Sequence, residues 1–184
     1  MSAKKINTDR ILGISAMVIS ILTLAIFIYQ TDIMRVQSKL SVKPRSDFTT
    51  NQGGNDSLIA FQEILENKGL GPAIIDSIYI NYNKERFSMD AETFFEQKFP
   101  KLLKYGYLSQ HATLGRGTTL TPTEERSLFV YQLPVANVDS VFAYLGITDI
   151  DDIPFDFEVI FTSIYEDEKW LVNSNESVPE RLDE

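Results

Sequence analysis

One histidine, His111, is the only side chain with which this sequence could build a Ser-His-acid catalytic triad. The chain has no cysteine, which excludes zinc sites built from His and Cys ligands and makes a Cys nucleophile impossible. No Gly-x-Ser-x-Gly elbow, the turn that presents a nucleophilic serine in many hydrolases, occurs in the chain. We therefore interpret His111 as an exposed or strand-edge residue, and we predict no catalytic residue.

The glycines at positions 69 and 71 invite comparison with phosphate-binding loops. The Walker pattern needs Gly-Lys followed by Ser or Thr, and the dinucleotide pattern needs a third glycine that opens a helix. Neither pattern follows here, and Pro72 leads into a predicted strand instead. The segment is therefore interpreted as a tight turn, and no cofactor is predicted.

Four aspartates form the one cluster of carboxylates in the sequence that could hold calcium: Asp149, Asp151, Asp152 and Asp156. The cluster lacks the glycine and the terminal glutamate of a helix-loop-helix calcium site. Acidic loops are usually just solvated. We predict no metal site, and calcium binding by residues 149–156 stays an open alternative.

The segment near the N-terminus is apolar enough to be a membrane span. Residues 11–31 carry no charge, and as a helix these twenty-one residues reach about 31 Å, close to the thickness of about 30 Å of a bilayer's hydrocarbon core. A cleaved signal peptide has a shorter apolar stretch followed by small residues, whereas this run ends in bulky Ile28 and Tyr29. A buried helix of a soluble domain is the other alternative, but such helices seldom lack charge on every face. We predict a transmembrane helix at 11–31, acting as an uncleaved signal anchor.

Charge divides the chain into two parts. Residues 1–45 carry seven Lys or Arg and two Asp, and residues 46–184 carry ten Lys or Arg and twenty-four Asp or Glu, which gives net charges of +5 and −14. An acidic domain at 46–184 repels phosphate backbones, so we predict no nucleic-acid partner. The basic tail at 1–10 and the basic juxtamembrane helix or linker at 32–45 are predicted to contact lipid headgroups. The cations concerned are Lys4, Lys5, Arg10, Arg35, Lys39, Lys43 and Arg45.

These cations do not decide the orientation of the span, because three precede it and four follow it. A short basic tail followed by a long carboxy-terminal domain is typical of a signal anchor whose tail stays in the cytoplasm. We therefore expect the domain at 46–184 to lie outside the cytoplasm, with a cytoplasmic location as the alternative.

Small side chains follow one face of the predicted span at spacings of three and four residues. Close approach of helix backbones in lipid depends on such residues, so this stripe predicts a homodimer or a partner transmembrane helix. The alternative is that Gly, Ser and Thr are simply common in membrane helices. The stripe consists of Gly13, Ala16, Ser20, Thr23 and Phe27.

Residues 46–184 read as one mainly β domain, an antiparallel β-sandwich of the Ig-like type with two short helical insertions. Alternating apolar and polar residues or clusters of β-forming residues predict strands at 40–48, 58–65, 73–82, 118–120, 127–133 and 155–165, with 170–172 as a hairpin partner that buries Trp170. Helical spacing of apolar residues predicts helices at 137–145, ended by Gly146, and at 90–105, kinked or split by Pro100.

Three stretches of the chain look familiar. They are IYQTDIMR with SVKPR at 28–35 and 41–45, ENKGLGPAII at 66–75, and SIYEDEKW at 163–170. Together they resemble an uncharacterised family of small bacterial single-pass membrane proteins with a β-sandwich-like soluble domain. The resemblance implies this architecture and a location in the bacterial inner (cytoplasmic) membrane, and it carries no activity or functional residue.

The chain has a predicted membrane anchor, a compact acidic domain and no group of residues with the spacing of a catalytic motif. This combination favours a non-catalytic function. We expect an accessory or sensing subunit whose soluble domain binds a partner. One alternative is a membrane-perturbing effector in stress or phage defence, which clusters through its transmembrane helix. Another is a tethered hydrolase, which would need two carboxylates facing each other in a deep pocket.

Overall fold

The structure, a computed structural model, describes residues 8–149, 152–166 and 168–182. The chain divides into two compact units after Ser41. The first unit is formed by one helix, α1 (Thr8–Ser41), of which no residue is buried. This helix is long and apolar enough to span a membrane. It ends before Pro44, whose ring disfavours a helical conformation in the residue that precedes it.

The second unit is mainly β-sheet and contains two antiparallel sheets, as the sequence predicted. The first sheet has the strand order β1-β2-β7-β5, so β1 and β5 are its edges. Its strands are β1 (Ser46–Gly54), β2 (Leu58–Asn67), β5 (Tyr107–His111) and β7 (Glu125–Pro134). In this register Thr50 of β1 and Phe129 of β7 lie on either side of Glu63 in β2.

The second sheet has the strand order β10-β9-β8-β3-β4, and a short strand β6 pairs with the other part of β3. Its strands are β3 (Ala73–Tyr82), β4 (Glu85–Phe87), β6 (Thr119–Leu120), β8 (Phe155–Thr162), β9 (Lys169–Asn173) and β10 (Glu176–Leu182). The hairpin β8–β9 places Trp170 opposite Phe161. The Trp170 indole is buried and stacks on the Phe161 ring, which confirms its predicted place in the core.

Among the described residues, the sheets are accompanied by the helices α2 (Ala91–Lys98), α3 (Leu102–Tyr105) and α4 (Val138–Leu145), with a 3-10 turn at Val135–Asn137. Asp90 caps α2 by accepting a hydrogen bond from the Thr93 N–H at 2.9 Å. The helix predicted at 90–105, which Pro100 was expected to kink or split, is two separate helices with Pro100 between them. Gly146 ends α4 at φ +72°, a left-handed conformation that glycine adopts without strain.

Both sheets and α2 contribute side chains to one hydrophobic core. Phe94 and Phe95 of α2 are fully buried, and Phe95 meets Phe129 edge to face with ring centroids 5.3 Å apart. Phe129 of the first sheet also stacks on Phe157 of the second sheet at 5.7 Å. The core is therefore continuous across the two sheets.

The first strand differs from its prediction at residues 40–48. Leu40 belongs to α1, and the strand begins only at Ser46 and runs to Gly54. The segment between them is held by backbone bonds instead: Lys68 N donates to Arg45 O at 2.8 Å, and Leu70 N donates to Lys43 O at 3.1 Å. Strands β4, β5 and β10 were not predicted.

Candidate functional site

Glu63 occupies a core position of β2. Side chains alternate between the two faces of a strand, so Glu63 shares its face with Phe61 and Leu65, which both belong to the hydrophobic core. Only 6% of its surface is exposed. Carboxylates are almost never buried unless they are paired, so this position needs a physical explanation.

The Glu63 carboxylate has one hydrogen-bond partner among the described residues. Thr50 Oγ1 donates to Glu63 Oε2 at 2.8 Å, across the β1–β2 pair. Glu63 Oε1 is buried and has no hydrogen-bond partner in the described part of the chain. A buried polar atom without a partner costs free energy, so this oxygen is a strong acceptor for any donor that reaches it.

Burial also changes the acidity of this group. It raises the pKa of Glu63 from 4.5 to about 7, and the hydrogen bond from Thr50 opposes the rise. Burial disfavours the charged form of a carboxyl group, whereas a donated hydrogen bond favours it. Glu63 is therefore poised to gain or lose a proton near neutral pH.

A cavity of about 270 Å³ lies beside Glu63, between the two sheets. It reaches the surface at Thr50 and Asn175, which are both exposed. The lining comprises Thr50, Glu63, Phe129, Ile153, Phe155, Phe157, Ser174 and Asn175.

Three phenylalanines form one wall of this cavity. Phe129 stacks on Phe157, and Phe157 meets Phe155 edge to face at 6.1 Å between ring centroids. Polar groups also line the cavity: Ser174 Oγ accepts a hydrogen bond from the Phe157 N–H at 3.0 Å and keeps its own hydroxyl hydrogen. The cavity thus combines a buried carboxyl group that has one hydrogen-bond partner among the described residues, an aromatic wall and a polar mouth.

This arrangement suits binding better than hydrolysis. Glycoside hydrolysis uses a pair of carboxyl groups on either side of the scissile bond. Glu63 is the one carboxylate among the described residues that line the cavity. A single carboxylate can bind a cation, donate or accept one hydrogen bond, or exchange one proton.

A second cavity, of about 240 Å³, lies beside the start of α2. Its one carboxylate among the described lining residues is Asp90, whose oxygens accept from the Thr93 N–H and the Thr93 hydroxyl. The backbone bond from Thr93 holds the pKa of Asp90 below its ordinary value. Because both oxygens of Asp90 serve as the helix cap, this cavity offers a ligand no unpartnered carboxylate oxygen.

His111 lies at the end of β5, an edge strand of the first sheet. Its Nε2 is 3.1 Å from Glu92 Oε2, and both side chains are exposed. No serine hydroxyl is hydrogen-bonded to His111 within the described residues. The prediction of a strand-edge histidine is confirmed.

The glycines at 69 and 71 belong to a tight turn that is organised by Asn67. The buried Asn67 side chain donates to the carbonyls of Gly71 at 2.8 Å and Leu120 at 3.0 Å. It accepts from the backbone N–H groups of Arg45 and Gly69. These four bonds join the turn to two other segments of the chain, so the motif has a structural role.

The described aspartates of the open calcium alternative do not form one cluster of three side chains. Asp156 lies in β8 and accepts hydrogen bonds from the side-chain amides of Asn81 and Asn173. Asp152 precedes that strand, and its backbone N–H donates to Asp149 O at 3.2 Å. Asp151 lies outside the described residues. Across the described ranges, no three His, Asp or Glu side chains come together as a metal site would require.

The stripe residues Gly13, Ala16, Ser20, Thr23 and Phe27 all lie in α1. Ser20 Oγ donates to Ala16 O at 2.9 Å and Thr23 Oγ1 donates to Ile19 O at 2.8 Å, so the helix backbone satisfies both hydroxyl donors. Helix packing through the stripe stays a prediction.

The cations predicted to contact lipid occupy three regions. Arg10, Arg35 and Lys39 belong to α1, and Lys43 and Arg45 follow it as exposed residues. Lys4 and Lys5 lie outside the described residues. Lys43 Nζ is 5.5 Å from the centre of the Trp170 ring, within the range of a cation–π contact. Contact with headgroups stays a prediction for all seven.

Sequence reasoning missed Glu63, the central residue of this site. The available signal was the period of two in this strand, in which Ile59, Phe61 and Leu65 share one face and Glu63 falls on the same face. Comparison of the chain with known protein families, curated proteins and solved structures finds no match.

Proposed function

We propose that this chain is a single-pass protein of the bacterial inner membrane whose soluble domain binds a partner or ligand and catalyses no reaction. In this proposal α1 is an uncleaved anchor, and the two antiparallel sheets form an Ig-like β-sandwich outside the cytoplasm. The length and the apolar composition of α1 support the anchor. The resemblance of residues 66–75 and 163–170 to small bacterial membrane proteins supports the location.

One observation carries the binding function, namely the cavity beside Glu63. Ligand sites in proteins are typically concave and mostly apolar, with a few polar groups that point inward. This cavity is more polar than most, since four apolar side chains line it beside four polar ones, and its carboxylate lacks a hydrogen-bond partner at Oε1 in the described part of the chain. A buried carboxylate that destabilises the free protein is readily explained when a bound group satisfies it.

The hydrolase alternative is not favoured, because the described lining of the cavity provides one carboxylate where that chemistry uses two. The effector alternative rests on the stripe in α1, whose hydroxyl donors are already satisfied within the helix. We therefore propose binding alone as the function.

The proposal is tested by recovering what the domain binds. The full chain with an affinity tag is purified in a mild uncharged detergent and analysed by pull-down and native mass spectrometry. We expect wild type to retain a specific protein partner or small molecule, and the Glu63→Gln variant to lose it. Glu66→Gln is the matched control, because Glu66 is on the same strand and faces Lys68 at 3.6 Å, away from the cavity lining.

Glu66→Gln is expected to retain what wild type retains. A wild-type protein that carries neither a specific partner nor a bound molecule would contradict the proposed function. Orientation is tested separately with a reporter enzyme that is active on one side of the membrane only, fused after Glu184.

A further inference from the structure

We propose that the cavity beside Glu63 binds a primary ammonium group, with the nitrogen at the Glu63 carboxylate and the attached alkyl chain against the phenylalanine wall. This inference rests on the binding function proposed above and specifies the chemical class of the ligand. The ammonium can belong to a small free amine or to the lysine side chain of a protein partner, because both present the same group.

The first reason is the unpartnered oxygen. Thr50 already donates to Glu63 Oε2, so Oε1 is the atom of the carboxylate that lacks a donor in the described part of the chain. A primary ammonium supplies three N–H donors and a positive charge. Charge-assisted hydrogen bonds are about twice as strong as neutral ones, so a cation satisfies this oxygen better than a hydroxyl or an amide.

The second reason is the aromatic wall. Aromatic rings attract cations through their negative faces, and they provide an apolar surface for an alkyl chain. Phe129 is the direct cross-strand neighbour of Glu63, so the carboxylate and the wall are close enough to hold the two ends of one small ligand. Anions are repelled both by Glu63 and by the net charge of −14 carried by residues 46–184.

The third reason is the size of the cavity and the number of oxygen ligands that its lining offers. A volume of about 270 Å³ is slightly smaller than that of typical small-molecule sites, which begin at about 300 Å³, so the cavity admits a short alkylamine or the end of one side chain. A divalent cation such as calcium binds roughly six to eight oxygen atoms, and several of these belong to carboxylates. The described lining offers one carboxylate, two hydroxyls and one amide. An organic monocation fits this set and calcium does not.

The experiment titrates n-butylammonium chloride into the purified full chain in an uncharged detergent at pH 8, followed by calorimetry. The matched probes are n-butanol, which has a similar alkyl chain without charge, and butyrate, which has the opposite charge. We expect n-butylammonium to bind wild type and Glu66→Gln equally, and to bind Glu63→Gln at least tenfold more weakly. Neither matched probe is expected to bind.

The pH dependence provides a second readout. The cation requires the ionised carboxylate, and the pKa of Glu63 is about 7, so the apparent affinity for n-butylammonium is expected to rise about tenfold from pH 6 to pH 8. The groups that face Glu63 are Thr50 from β1, Phe129 from β7, Phe155 and Phe157 from β8, and the segment residues Ile153, Ser174 and Asn175, none of which titrates in this window.

Thr50→Val is a second variant, at an exposed residue of β1. Loss of its hydrogen bond to Glu63 raises the pKa of the carboxyl group further. We therefore expect weaker binding of n-butylammonium than in wild type at pH 7, with recovery at pH 9. Equal binding by this variant at pH 7 would argue against Glu63 as the group that holds the cation.

Two further arms identify the source of the ammonium. A lysine tripeptide with blocked ends is compared with n-butylammonium and with its own side-chain acetylated form. Tighter binding of the tripeptide assigns the site to a partner's lysine, tighter binding of n-butylammonium assigns it to a free amine, and both results support the inference. Equal binding of the acetylated tripeptide overturns it.

Binding of n-butanol or butyrate as tight as that of n-butylammonium, or unchanged binding by Glu63→Gln, also overturns the ammonium assignment and leaves a ligand-binding cavity in place. Failure of every probe overturns the ammonium assignment alone. The proposed function fails only if the pull-down and the native mass spectrometry of the wild-type protein are empty as well.

Discussion

Glu63 shows how one residue can depart from the pattern of its strand. Ile59, Phe61 and Leu65 define an apolar face, and Glu63 stands in the same phase with 6% of its surface exposed. One hydrogen bond from Thr50 satisfies one of its oxygens, and burial raises the pKa of the carboxyl group to about 7. Natural sequences break the rules of strand patterning mainly at functional sites, which agrees with a binding role for this residue.

The same burial predicts a dependence of stability on pH. Between pH 4.5 and about 7 the folded protein keeps a proton on Glu63 that the unfolded chain has released, so this group lowers the free energy of unfolding as pH rises through that window. Glu63→Gln removes the effect. Relative to wild type, the variant is expected to gain roughly 2 to 3 kcal/mol of stability between pH 5 and pH 8.

The measurement is urea unfolding of the full chain in detergent, followed by the fluorescence of Trp170, the single tryptophan. Glu66→Gln serves as the control and is expected to follow wild type across this range. A difference between Glu63→Gln and wild type that stays constant with pH would show that Glu63 is not buried as described.

At the scale of elements, the turn between β2 and β3 depends on close backbone contact. A Cβ atom at Gly71 would overlap the carbonyl group of Val42, and one at Gly69 would overlap the backbone of residues 43–45. Pairs of backbone segments approach this closely only where a glycine permits it. The turn therefore positions the chain that leads into β1.

Gly71→Ala tests this role. The added methyl group forces backbone atoms apart, so we expect the free energy of unfolding to fall by roughly 1 to 3 kcal/mol. Gly53→Ala is the matched control, because Gly53 lies in β1 with open space around the added atom. That control is expected to stay within about 0.5 kcal/mol of wild type. Equal stability of the two variants in urea unfolding would refute the structural role of Gly71.

The sequence predicted those elements whose residues carry a periodic pattern. Residues 73–82 are predicted and observed as a strand with the same bounds, and the hairpin of β8 and β9 and the apolar face of α4 are also as expected. The bounds of strand β1 were predicted wrongly, because SDFTTNQGG is polar, contains two glycines and forms a strand through its pairing with β2. Strand β10 contains Pro179, which weakens a strand pattern.

The candidate site was harder to predict than the fold. A cavity between two sheets depends on which residues of distant strands meet, and the pairing of Glu63 with Thr50 and Phe129 is not readable from local sequence. The residues with the most familiar chemistry have other contacts. His111 contacts Glu92 at an edge strand, and Asp156 accepts a hydrogen bond from the Asn81 side chain.

At the scale of the whole molecule, the two units differ in the solvent that each requires. The described residues of α1 expose large apolar side chains along its length, whereas the second unit buries its apolar side chains in a core and carries a strongly negative charge. Exposed apolar surface on this scale is stable in lipid and unstable in water. The account therefore depends on the insertion of α1 into a bilayer.

Membrane fractionation of cells that express the full chain tests this central claim most directly. After an alkaline carbonate wash, which removes peripheral proteins, we expect the full chain to remain in the membrane pellet and to be released only by detergent. A chain limited to residues 42–184 is expected in the supernatant. Recovery of the full chain in the aqueous fraction after lysis, without detergent, would contradict the account.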